Sequence, residues 1–535
     1  AWKLSELRLV GKFIPYTDKF GVFEDIRTTD YVNLFYPANV EDIADEKLTI
    51  FTHTHPNLSS EIYYEFDAIL QPLYIRREKE NPFLLKTDFS KNGPIEFKPN
   101  PKTFIQRRYE IAKNTPLLTQ DQLSKSIDTI TSDINKKPET FIYELLQNAD
   151  DYPQPSLKKV EVVFRINGSF LQFMHSGLPF SVKNVHAICG VNEKDKGDDI
   201  EKIGFKGIGF KSVFRDSDYA LIKSGGFQFR FDEKHHSTKT YWQTIPIWTE
   251  TEDKEFDVSL RTDEFLNAPV SIALKPKNSR VLVINDDSYA VTLKRVFADP
   301  KILLFLRHVN EVSVVIPNAE VIFCEKNLKD WWKKSEKIKV PEEQKLWLNE
   351  RIIEPKLRDK RIPEKFYNLN ESCLSFATRR QGNKILKTEN SNLYIYLPTQ
   401  IDLKFSFLIN GDFIPDASRE ELHNDIIWND YLMQEAGFMF VKWLNETGNN
   451  RWKDRNGIEF QFNKDYINLI PNFSYCKNSI DNKHHYLINA FNQGFDKAIK
   501  YIAFIPDYNN QLRRLDEILI DETGLLILLG LEYFK

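Results

Sequence analysis

Between Glu139 and Gly177 the spacing of apolar residues changes from that of a helix to that of a strand. This switch favours folds that pack a helix on a β-sheet. "ETFIYELLQNADD" sets Phe141, Ile142, Leu145 and Leu146 at helical spacing, so one face is apolar. The opposite side is crowded with Glu144, Gln147, Asn148, Asp150 and Asp151. Residues three and four apart are neighbours on a helix, so Glu144, Asn148 and Asp151 share one stripe. After Pro153 and Pro155 the helical pattern stops. "KKVEVVFRINGSFLQFMHSG" then supplies two β-rich runs around Asn167-Gly168, the strongest short hairpin signal.

The rest of the chain reads as four regions. Residues 1–100 alternate apolar and polar positions between turn signals ("GKFIPYTDKFGVFED", "DYVNLFYPANVEDI"). They predict a small β domain, with some likeness to an OB or cold-shock barrel, and they end in a Lys-, Pro- and Asn-rich linker. Residues 101–285 hold two helical stretches ("TFIQRRYEIAKN", "DQLSKSIDTITSDI"), the helix and hairpin above, a short helix ("VKNVHAICGV") and strands ("YALIKSG", "GFQFRFDE", "APVSIALKP", "RVLVIN"). Residues 286–430 mix helix and strand, the pattern turns helical from Ile426 on ("WNDYLMQEAGFMFVKWLNE"), and 431–535 are expected to be a mainly helical C-terminal region. Beyond Asn450 the pattern is not readable. The fold class expected from this order is α+β.

With 535 residues, length alone predicts about three or four domains. The net charge of −4 gives no global attraction to nucleic acid, although a local basic face stays open. The four cysteines, Cys189, Cys324, Cys373 and Cys476, form no CxxC pair, so neither a zinc knuckle nor a redox pair is indicated. Scattered thiols of this kind fit an intracellular setting, cytoplasmic or nuclear. No uncharged apolar run of about 18 residues occurs, so no membrane partner is expected. "AWKLSELRLV" does not read as a signal peptide. Both ends stop abruptly, and "GLLILLGLEYFK" reads as a core element cut from its neighbours, which points to a piece of a longer protein.

Three motifs in order carry chemistry: "ELLQNADD", "HSGLPF" and "GFKGIGFKS". In the third, Gly204, Gly207 and Gly209 let the backbone turn tightly and bring N–H groups close to a ligand. A helix starting directly after them offers an anion site. The spacing is neither a Walker A loop nor a dinucleotide fingerprint. Together the three motifs resemble the GHKL ATPase superfamily, whose members include gyrase B, MutL, histidine kinases and the ninety-kilodalton heat-shock chaperone. Within it the likeness is to the sacsin and NO VEIN-type chaperone-like proteins. It covers residues 110–290 strongly and extends more loosely to about 430 through "NGDFIPDASREEL", which is similar to the chaperones' middle-domain loop.

The resemblance implies a Bergerat-type α/β sandwich, a mixed sheet covered by helices, with a middle-like α/β domain behind it. It implies ATP and Mg²⁺ as cofactors. Glu144 would orient or deprotonate the attacking water, and Asn148 would be the Mg²⁺ ligand. Asp151, His175 and Gly177 would line the nucleotide site. Gly204, Lys206, Gly207, Ile208, Gly209, Phe210 and Lys211 would wrap the phosphates, with Lys206 or Lys211 adding charge. Arg419 would stabilise the transferred phosphoryl group, and residues 192–202 would form a lid. The family's second motif reads D-x-G-x-G, with the Asp reading the adenine amino group. Here His175 stands at that position and Pro179 replaces the second Gly. A neutral imidazole can accept a hydrogen bond from adenine through one ring nitrogen.

The expected function is a slow, Mg-dependent ATPase acting as a nucleotide-driven switch or chaperone-like part of a larger protein. Two alternatives stay open: a degenerate, non-hydrolysing binding module, and a nucleic-acid-linked or anti-phage defence ATPase. The implied partners are ATP and ADP, a protein client, nucleic acid through the N-terminal domain, and a second copy of the chain.

Overall fold

The computed structural model describes residues 7–13, 32–37, 48–52, 62–66, 101–113, 124–125, 139–155, 158–190, 209–236, 241–277, 288–326, 328–349, 362, 366, 369–416, 419–453, 457, 459–507, 509 and 511–518. These fall into two compact units. The first takes the described residues of 1–196, 206–294 and 312–322, and the second those of 295–311 and 323–535. The fold is α+β.

In the first unit, β1 (Leu7–Phe13) pairs antiparallel with β2 (Val32–Pro37), and β3 (Leu48–Thr52) with β4 (Ile62–Phe66). Among the described residues of 1–100, where a small β domain was expected, the strands are these two separate pairs. Its main sheet is built from β5 (Val160–Asn167), β6 (Phe170–His175), β7 (Ser217–Ser224), β8 (Phe227–Asp232), β9 (Ile247–Trp248) and β10 (Val270–Pro276). The spatial order is β5-β6-β10-β7-β8-β9, and every pairing along it is antiparallel. Beyond β5 the sheet continues with β11 (Val309–Val315) and β12 (Ile322–Glu325), of which 312–315 and Ile322 belong to this unit.

The β5–β6 hairpin lies where the sequence predicts it, but its loop is shifted by one residue. Asn167 pairs with Phe170, so Gly168 and Ser169 make the turn. Gly168 has φ +58° while Ser169 does not enter the positive region, the sign pattern of a type II′ turn. Asn167 is held in the strand because its Nδ2 donates to the Ser259 carbonyl at 2.8 Å. Along β5 the alternation of the sequence becomes alternate burial of Val160, Val162, Phe164 and Ile166, whereas β6 is buried at every position. A strand buried on both faces has layers on both sides.

Helices α1 (Pro101–Lys113), α2 (Thr140–Asp151), α3 (Val182–Cys189), α4 (Asp263–Asn267) and α5 (Tyr289–Phe297) complete this unit as far as Lys294. On α2 the apolar stripe read from the sequence is buried: Phe141, Ile142, Leu145, Leu146 and Ala149. Phe141 lies 5.1 Å from the Tyr289 ring. Of "DQLSKSIDTITSDI" only Ser124 and Lys125 are described, and "RVLVIN" lies outside the described residues.

The second unit centres on a sheet of β13 (Trp331–Lys339), β14 (Glu371–Gln381), β15 (Lys384–Leu386), β16 (Asn392–Ile395), β17 (Leu397–Asp402) and β18 (Leu408–Gly411), in the order β13-β14-β18-β16-β17 with β15 on β14. Only the β16–β18 pair among these is parallel, so this sheet is mixed. Its helices are α6 (Glu342–Asn349), α7 (Ile427–Asn449), α8 (Phe473–Asn478) and α9 (His485–Ala498). Phe407 stacks on Phe440 with ring centroids 4.3 Å apart, and Phe376, Trp443 and Phe491 close around them. Helices α7 and α9 cross at two glycines. A Cβ on Gly437 would lie 1.9 Å from the Phe491 carbonyl oxygen, and one on Gly494 would lie 1.8 Å from that of Gln434.

All four cysteines are free, and Cys189, Cys324 and Cys476 are buried. Burial pushes the thiols of Cys324 and Cys476 up to about 11 and raises that of Cys373. Among the described residues no helix is long and apolar enough to cross a membrane.

Candidate nucleotide site

Helix α2 presents its polar stripe as the sequence predicts, with a division the sequence does not show. Glu144 and Asn148 keep partial exposure, whereas Asp150 and Asp151 are buried at the C-terminal end. The helix begins with the Ile142 and Tyr143 N–H groups donating to the Glu139 carbonyl. It ends at Tyr152, whose φ of −129° and ψ of 61° leave the helical region.

That end is clasped to the strand end of the second motif. The Leu178 N–H donates to the Tyr152 carbonyl at 2.7 Å, and Gln154 Nε2 donates to the Gly177 carbonyl at 3.2 Å. Asn184 Nδ2, on α3, donates to the Tyr152 hydroxyl at 3.1 Å. A Cβ on Gly177 would sit 2.5 Å from the Tyr152 carbonyl oxygen and 2.8 Å from His175 Nδ1. Gly177 therefore has a steric reason to be glycine, which is close backbone approach. The structure thus brings Asp151, His175 and Gly177 to one corner. Tyr152, Gln154 and Asn184 hold that corner and were not singled out from the sequence. One signal was there to find: Ser181 and Asn184 at cap spacing before α3. The Ser181 N–H donates to Asn184 Oδ1 at 2.8 Å, and the Asn184 N–H donates to Ser181 Oγ at 3.3 Å.

His175 ends β6, between Val162 of β5 and Val270 of β10. Burial pushes its imidazole down to about 3, so the ring is neutral around pH 7.

Of the glycine-loop residues, Gly204, Lys206, Gly207 and Ile208 lie outside the described residues, as does the expected lid. Gly209 opens a 3-10 helix running to Phe214, which packs against α2. Phe210 is buried in an edge-to-face contact with Phe214 at 5.9 Å. Lys211, expected to reach phosphate, is only 4% exposed. Its Nζ donates to the carbonyls of Ile188 at 2.6 Å and Gln243 at 2.8 Å, and it lies over the rings of Phe214 and Phe231. In this arrangement Lys211 ties the end of α3 to the 241–245 turn. Lys211→Met is expected to leave both carbonyls short of a donor and to lower stability by about 2 kcal/mol or more. A urea melt without nucleotide reads this; a purely phosphate-binding lysine would leave that melt unchanged.

Arg419 belongs to the second unit. It sits in a loop whose base is firmly built. Asn429 Oδ1 accepts from the Ile414 N–H at 2.8 Å, and its Nδ2 donates to the Ile414 carbonyl at 3.0 Å. Asp412 accepts from Tyr396 Oη at 2.8 Å and from the Cys373 N–H at 2.9 Å. The Asp416 N–H donates to the Glu421 carbonyl, and Arg419 itself has φ +61°. An arginine in this left-handed conformation is uncommon.

Among the described residues no three His, Cys, Asp or Glu gather as a metal site.

No protein-family model matches the chain. Over 343 residues the chain is 27% identical to Protein NO VEIN of Arabidopsis thaliana, a match that covers 60% of this chain and 12% of that protein. The chain therefore spans a small part of the length of the curated relative it matches. This similarity supports a NO VEIN-like relationship for the chain.

Proposed function

We propose that the first unit is a Mg²⁺-dependent, slowly hydrolysing nucleotide-binding module of GHKL type with a Bergerat arrangement, ATP being the nucleotide implied by the resemblance. It would serve as a nucleotide-driven switch or chaperone-like part of a larger protein. The observation that carries the reading is helix α2. It buries its apolar stripe on the protein, keeps Glu144 and Asn148 accessible one turn apart, and is clasped at its end to the His175–Gly177 corner. Glu144 would orient the attacking water or take its proton. Asn148 would supply the side-chain ligand to Mg²⁺, which neutralises phosphate charge when bound.

The non-hydrolysing alternative draws on Lys211, whose ammonium is engaged by two carbonyls inside the fold. Thermal melts with nucleoside triphosphates, with and without Mg²⁺, test the proposal. Ligand at a hundred times its dissociation constant stabilises the native state by about 2.7 kcal/mol. The expected result is a Mg²⁺-dependent rise that Asn148→Ala removes. If no triphosphate moves the melt, the reading is wrong.

A further inference from the structure

The β5–β6 hairpin carries one polar pair in the middle of an apolar face. On the side that meets residues 256–265, the register sets Val163 opposite Met174, Arg165 opposite Gln172 and Asn167 opposite Phe170. Phe170 and Met174 pack there with Phe256, Leu260 and Phe265 of the segment that follows β9, and Val163 joins them. Gln172 is 0% exposed within this cluster. Both members of the pair reach the covering segment and are fixed by it. Gln172 Nε2 donates to the Ser259 carbonyl at 3.3 Å, and Arg165 Nη1 forms an ion pair with Glu264. The Ser259 contact settles which way the Gln172 amide is turned, since only the amide nitrogen can donate to a carbonyl.

One atom of each side chain is left over. Gln172 Oε1 and Arg165 Nε are buried and have no hydrogen-bond partner among the described residues. The first is an acceptor and the second a donor. They belong to residues directly opposite on neighbouring strands, where Cβ atoms stand about 4.5–5.5 Å apart. Two complementary atoms that do not bond each other, under a cover of apolar side chains, call for a small group that accepts on one side and donates on the other. We infer that a single water molecule is built into the fold here, accepting from the Arg165 Nε–H and donating to Gln172 Oε1. A buried water needs two to four polar partners, and this pair supplies two. An anion would set its charge against the Gln172 oxygen, and a cation would set its charge against the guanidinium. An apolar guest would leave both groups unpaired, which folded proteins avoid. The water completes a joint between the hairpin and the segment that covers it, beside the contacts that Asn167 and Gln172 make to the Ser259 carbonyl.

The test is a crystal structure of the full chain at a resolution that shows ordered water. The expected result is a peak of oxygen height within about 3.2 Å of both Arg165 Nε and Gln172 Oε1. No peak at this point, a direct hydrogen bond between the two atoms, or a peak that scatters as a heavier ion overturns the inference. Arg165→Met supplies the second arm. It removes the donor and leaves Gln172 and Ser259 in place, so the peak should be lost while the Gln172 Nε2 contact to the Ser259 carbonyl remains. A peak unchanged in Arg165→Met shows that Nε does not hold it and overturns the bridge. The wild-type map decides the matter even if the variant does not fold.

Discussion

Gly494→Ala is expected to lower the stability of the second unit by about 3 kcal/mol or more, at the upper end for an inserted methyl group. The cause is geometric. The new carbon would stand 1.8 Å from a backbone carbonyl oxygen of the facing helix, and neither backbone can swing aside as a side chain could. Gly437→Ala, at 1.9 Å from Phe491 oxygen, should cost a similar amount. Both changes act on one crossing of α7 and α9. Once one methyl has forced the helices apart, the second meets less resistance, so the double variant should cost less than the two singles added together. Urea melts followed by tryptophan fluorescence measure all three. Single variants within about 0.5 kcal/mol of wild type would show that the helices do not meet this closely.

Glu144→Gln is the second large effect. Under the proposed function it should cut nucleotide hydrolysis by about 10²–10⁴-fold, the usual contribution of a positioned general base, while leaving nucleotide binding in place. The amide keeps the shape of the side chain and can still touch water. It cannot take a proton from it. Glu144 lies on the partly exposed stripe of α2 and not in its packed face, so the exchange should leave the melting midpoint without nucleotide close to wild type. Phosphate release at saturating nucleotide is the readout. Unchanged turnover removes Glu144 from the chemistry, and a wild-type chain with no turnover at all favours the non-hydrolysing alternative.

How much of this was legible in the sequence differs from element to element for physical reasons. Helix α2 was readable because its period and its burial coincide: the residues spaced as an apolar stripe are the ones that pack. The hairpin was readable from Asn167-Gly168. Its exact turn was not, since a contact with Ser259, 92 residues away, keeps Asn167 in the strand. Lys211 was expected at phosphate only through the family resemblance of its glycine string. Which carbonyls take it up depends on Ile188 and Gln243, which only the fold brings near. Helix α9 lies beyond Asn450, in a region expected to be mainly helical but without a readable pattern; Gly494 within it is a breaker on paper, although the glycine is what lets α7 approach.

The buried thiols have a practical side. Alkylating reagents attack the thiolate, and burial holds Cys324 and Cys476 almost wholly in the thiol form around pH 7. Cys373 is shifted in the same direction, and Cys189 is sealed in the first unit. Val258 in the first unit and Tyr501 in the second are among the most exposed apolar side chains, at 76% and 72%. Cysteines placed there would outrun the native ones in the reaction with a maleimide. A donor and an acceptor dye could thus be mounted on the two units without first stripping the chain of its own sulfur, and their energy transfer would read the separation of the two labels with and without added nucleotide.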